Sequence, residues 1–72
     1  MYIIKGYWAG HFILSCELKN DKEVVEKIED LKMQLKKKEL VLLSCGHSFV
    51  LTELCVDIVQ YGSLVAVHNL KK

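Results

Sequence analysis

The spacing of apolar residues changes period along the chain, and those changes mark out its elements. From Asn20 to Lys38 (NDKEVVEKIEDLKMQLKKK) apolar side chains return at Val24, Ile28, Leu31 and Leu35, with Val25 widening the stripe. That spacing places them on one face of an α-helix. Local chemistry agrees. Asn20 is a helix-capping residue with Glu23 three positions on, as in a capping box. Asp21, Glu23 and Glu26 come early and Lys36, Lys37 and Lys38 late, which suits the helix dipole. Glu23 and Lys27 stand at i, i+4, a favourable ion-pair spacing.

Before the helix, two β-branched and aromatic runs, YIIKGYW and HFILSCEL, flank Ala9-Gly10. A two-residue loop ending in glycine predicts a hairpin, with Trp8 opposite His11, Tyr7 opposite Phe12 and Ile3 opposite Cys16. Uniform alternation then assigns Met1, Ile3, Tyr7, Phe12, Leu14, Cys16 and Leu18 to one face, with Lys5 its only charge. Tyr2, Ile4, Gly6, Trp8, His11, Ile13, Ser15 and Glu17 fall on the other. The first set is the better core face, and the second is too aromatic to be a plainly solvated one.

After the helix, Glu39–Ser44, Ser48–Thr52, Asp57–Tyr61 and Ser63–Leu70 read as strands, with turns at Cys45-Gly46-His47 and Tyr61-Gly62. Glu53–Val56 fits a bulge, a corner or a strand continuation. The expected fold is a single α+β domain over residues 1–72. It is a two-layer sandwich in the order ββαβββ, with one amphipathic helix on a mainly antiparallel five-stranded sheet.

Composition narrows the function. At 72 residues the available core is small, yet 51% of the residues are apolar. Apolar surface should therefore remain outside after the monomer folds, and such patches usually serve protein interfaces. The expected partners are a second copy of the chain and another protein. A net charge of +1, with all ten basic residues lysine, weighs against nucleic acid, whose phosphates and bases favour arginine. No run approaches the ~20 apolar residues of a membrane span, and no secretion signal is visible at the N-terminus. Three cysteines, an odd number, favour reduced thiols and a cytoplasmic setting.

Candidate chemistry is sparse. Cys45 and His47 share one turn, and Cys16, Cys55, His11 and His68 could join them around a metal. The paired spacing that zinc sites use is absent, however, and free cysteines in apolar runs act as small hydrophobes. A Cys45/His47 nucleophile would need an orienting third group. Asp57, inside an apolar run, needs a partner or an edge position. No cofactor and no enzymatic activity are expected. The favoured interface or ligand set is Tyr2, Trp8, His11 and Ile13 on the aromatic hairpin face, with Lys36, Lys37 and Lys38; the edge of the last strand is the alternative surface for a second copy or a partner protein. The leading expectation is a non-enzymatic interaction module, a regulator or inhibitor of the kind phages and mobile elements encode. Nucleotide or nucleic-acid binding by Trp8 and Tyr2 stacking, with lysines on phosphate, is the second. A metal or thiol site at Cys45 and His47 is the third.

Overall fold

The computed structural model describes all 72 residues. Strands β1 (Tyr2–Trp8) and β2 (His11–Leu18) precede helix α1 (Asp21–Lys36). Strands β3 (Val41–Ser44), β4 (His47–Val50), β5 (Glu53–Gln60) and β6 (Ser63–Lys71) follow it. The α+β class, the single helix and the antiparallel pairing are those expected. The sheet is not. The long strands form a four-stranded sheet in the order β2-β1-β5-β6, while β3 and β4 pair only with each other. Ladder occupancy explains the difference. β5 is bonded to β1 on one side and β6 on the other, so β4 finds no free edge on its own successor. Glu53–Val56 is the first half of β5.

The helix is built as its sequence dictates. The Asn20 side chain accepts a hydrogen bond from the Glu23 amide at 3.0 Å, and the Glu23 carboxylate accepts one from the Lys19 amide at 2.7 Å. This use of Glu23 replaces the expected pairing with Lys27, which instead lies 3.9 Å from Asp30. At the other end the Lys38 amide donates to the Leu35 carbonyl and the Glu39 amide to that of Gln34. These are the two bonds of a Schellman motif. The motif needs a left-handed residue at Lys38, whose φ is +60°, where glycine is the usual choice.

All three hairpins turn through two left-handed residues, Ala9-Gly10, Cys45-Gly46 and Tyr61-Gly62. Such turns carry a twist that matches the flanking strands. The two hairpins of the main sheet share a further device. In each, two residue pairs follow the turn and then one residue is unpaired. In β2 it is Ile13, because Gly6 faces Leu14 while Tyr7 faces Phe12. In β6 it is Val65, because Ile58 faces Ala66 while Val59 faces Leu64. Each bulge reverses the parity of its strand. Phe12 stays on the face of Tyr7, whereas Leu14, Cys16 and Leu18 move to that of Gly6, Ile4 and Tyr2. The expected pairing of Ile3 with Cys16 is thereby corrected to Ile4 with Cys16, and the expected core face of β1 is inverted.

Val24, Ile28, Leu31 and Leu35 of α1 pack on the face carrying Ile4, Leu54, Val56, Ile58 and Leu70, with Leu51 completing the core. Gly6 belongs to this face and is itself buried. A Cβ there would stand 3.1 Å from Leu14 Cγ and 3.3 Å from Leu54 Cδ2. The branched side chain of Gly6→Val would overpack this point and should destabilise the protein by about 1–3 kcal/mol in urea unfolding. Lys38→Gly removes the strained φ and should stabilise it by about 1 kcal/mol in the same assay.

Candidate interaction surface

One helix dries one side of the sheet, and α1 leaves the other open. Strand register arranges that open face as three rows running across β2, β1, β5 and β6. Glu17, Ile3, Val59 and Leu64 form the first; Ser15, Lys5, Asp57 and Val67 the second; Phe12, Tyr7, Cys55 and Asn69 the third. The outer rows are mainly apolar. Phe12 is 57% and Leu64 58% exposed, and the Phe12 ring meets Tyr7 edge-on at 5.8 Å. Opposite charges occupy the centre of the middle row. Lys5 and Asp57 are neighbours on the two inner strands, but the ion pairs within 4 Å are both on α1, Lys27–Asp30 and Lys32–Glu29.

A second apolar surface lies on the β3–β4 hairpin, an arm outside the main sheet. Leu43 is 77% exposed at its rim, and Val41, Phe49 and Val50 are exposed as well. From Leu40 to Thr52 the arm carries no Asp, Glu, Lys or Arg. Leu51 anchors its base in the core and donates its amide to the Leu40 carbonyl at 2.9 Å.

The structure does not gather the side chains favoured by the sequence. Tyr2, Trp8 and Ile13 are half-buried against the core. Tyr2 and Trp8 start and end the same strand, ~20 Å apart at ~3.3 Å per residue. His11 is exposed and stacks on Trp8, with centroids 6.3 Å apart and ring planes 25° from parallel, which occupies one side of the indole. Lys36, Lys37 and Lys38 are exposed around the helix C-terminus. Cys45 sits at the exposed tip of the arm, and His47 follows on β4 with its ring 6.5 Å from Phe49. Nowhere do three or more His, Cys, Asp or Glu side chains converge in the manner of a metal site. The largest concavity, about 330 Å³, lies at one end of the sheet beside Tyr7, Trp8, Glu53 and Lys71. Its acid and base, Glu53 and Lys71, are register partners across β5 and β6.

Phe12, Leu64 and Val67 were not legible as a shared surface. The available signals were Ile13 and Val65, apolar residues out of phase with their neighbours at equivalent places after two X-Gly turns. No protein-family model, curated protein or solved structure matches the chain. No helix is long and apolar enough to cross a membrane.

One polar contact ties the layers together. The Tyr2 hydroxyl donates to the Asp21 carboxylate in the first turn of α1. That hydrogen bond, followed by desolvation and the carboxylate's charge, raises the Tyr2 pKa above its ordinary value of 10.0. A raised folded-state pKa means that the contribution is complete below pH 10 and is lost as pH climbs through the folded value. Wild type should therefore exceed Tyr2→Phe in stability at neutral pH. The difference should shrink in urea titrations carried above pH 10.

Proposed function

We propose that this protein is a non-enzymatic interaction module that works as a homo-oligomer through the open face of its four-stranded sheet. The observation that carries this reading is the uncovered apolar face itself. Only 11 of 72 residues are buried in a chain that is 51% apolar. Part of the surplus stands on the side that α1 does not reach, where Phe12 and Leu64 each lie next to a bulge with Val67 beside them, and part lies on the β3–β4 arm. Bulges commonly re-aim side chains in this way. An uncovered face with two mainly apolar rows on either side of a charged centre is a protein-interaction feature.

The edges of the sheet support closed association over open-ended aggregation. Both outer strands, β2 and β6, are interrupted by a bulge, which disfavours strand addition. The face is then the surface left for a partner, and the uncharged arm offers a second site for a different protein. Regulation or inhibition of another macromolecule is the role that fits a small module with one surface for itself and another to spare. Three free thiols support a reducing, cytoplasmic setting.

Light scattering across micromolar to millimolar concentration should give a mass above the 8.3 kDa of one chain. The double variant Phe12→Asp/Leu64→Asp changes two exposed side chains, so it should keep its circular dichroism and return to the monomer mass. A wild-type protein that stays monomeric throughout this range rules the reading out.

A further inference from the structure

We propose that two copies of the chain pack open face to open face about a two-fold axis parallel to the strands, with Lys5 of each copy against the partner's Asp57. This rests on the self-association proposed above and specifies its geometry.

The argument starts from where the charges stand. Of the four strands, β1 and β5 are the inner two, and Lys5 and Asp57 face each other in the middle of the three rows. The centre of the open face therefore lies between a cation and an anion. Apolar side chains flank them in the outer rows. Two sheets stacked face to face can be related by a two-fold axis lying between them, and that axis can run along the strands or across them. An axis across the strands sets Lys5 over Lys5 and Asp57 over Asp57. An axis along the strands exchanges β1 with β5, so Lys5 meets the partner's Asp57 twice. The four charges then alternate in sign around a square.

The same operation keeps each row against itself. On the inner strands Ile3 meets the partner's Val59 and Tyr7 meets the partner's Cys55, apolar on apolar, while at the outer strands Leu64 lies over the partner's Glu17 and Phe12 over the partner's Asn69, which makes these the rim of the contact. The isologous arrangement uses one patch twice and closes without leaving a repeat surface. Strand directions agree between the two sheets, as in aligned sandwiches, where the natural twist sets them ~30° apart.

Size is adequate. Four strands at ~4.8 Å and about eight residues at ~3.3 Å span roughly 20 × 25 Å. That plan is about 500 Å² on each copy, or about 1,000 Å² over the pair, the lower bound for a specific interface. The charges serve orientation more than affinity, because desolvating an ion pair offsets much of its attraction. A slipped or rotated pairing would bury Lys5 and Asp57 against apolar groups or like charges. Such mispairing is costly, and that cost selects one alignment.

The test uses Lys5→Asp and Asp57→Lys, separately and mixed. Alone, each variant places like charges together twice and should dissociate at least tenfold more readily than wild type by analytical ultracentrifugation. Mixed one to one, every cross-copy pair becomes opposite in sign, and a heterodimer should return. The helix pair Lys22→Asp and Glu26→Lys is the control for general electrostatic attraction; neither its variants nor their mixture should change the dissociation constant. Circular dichroism of every variant confirms that the fold is kept. If wild type is oligomeric but the single variants associate as well as it does, the geometry is wrong while self-association stands. Single variants that weaken without recovery on mixing overturn the cross-copy pairing, as does a control pair that behaves like the test pair. A monomeric wild type removes both proposals together.

Discussion

A single amphipathic helix offers one apolar stripe, and one stripe can dry only one face of a sheet. Everything in this molecule follows from that constraint. Val24, Ile28, Leu31 and Leu35 seal Ile4, Leu54, Val56, Ile58 and Leu70 from water, and no polar or charged side chain is buried with them. At ~1.5–3 kcal/mol for each fully buried aliphatic side chain, these few residues supply the main force for folding. Chain entropy opposes them on a similar scale. Few apolar residues can be moved from this side without unfolding the domain, whereas those on the other side are free of that duty. The two faces therefore differ in what stability asks of them.

The bulges are how one short strand serves both faces. In β2, Phe12, Leu14, Cys16 and Leu18 look like one continuous stripe, yet Phe12 faces away from the helix and the other three toward it. In β6 the same break separates Leu64 from Ala66, His68 and Leu70. Because the two hairpins are built alike and β1 runs antiparallel to β5, the breaks fall near diagonally opposite corners of the sheet. Phe12 beside Tyr7 marks one corner, and Leu64 beside Val59 the other. The approximate symmetry of the face thus comes from a local feature used twice.

The sequence was legible where local signals agreed and misleading where they depended on count. Every helix signal pointed the same way, from the Asn20 cap to the final lysines, and the helix lies within a residue or two of its expected ends. The X-Gly turns were equally plain, since few other dipeptides accept two left-handed residues. Face assignment failed because it was carried by counting in twos, and one unpaired residue reverses every position beyond it. Tyr2 and Trp8 were accordingly placed on an open face, and they lie against the core. Strand partners were hidden for a different reason. Whether β5 pairs with β4 or returns to β1 is a choice between distant segments, and no local residue records it. Lys38 shows the opposite case, a residue poorly suited to its left-handed position and held there by the two bonds that close α1.

The placement of Lys5 and Asp57 is what the proposed self-association rests on. A face left bare by too small a helix would need only solubility, and charges anywhere on it would serve. Here the two charges stand side by side on the inner strands, with Ile3 and Val59 to one side and Tyr7 and Cys55 to the other. Charges at the rim of an apolar patch repel nothing from its middle, whereas charges at the centre govern what can approach it. A partner with a plain apolar surface would have to strip water from both groups and return nothing. A partner carrying the same two charges in reversed order returns a counter-ion to each. The other face of the sheet already contains the helix that satisfies it. The partner proposed for this face is the face itself, turned over about the strand direction, which presents the two charges in that reversed order.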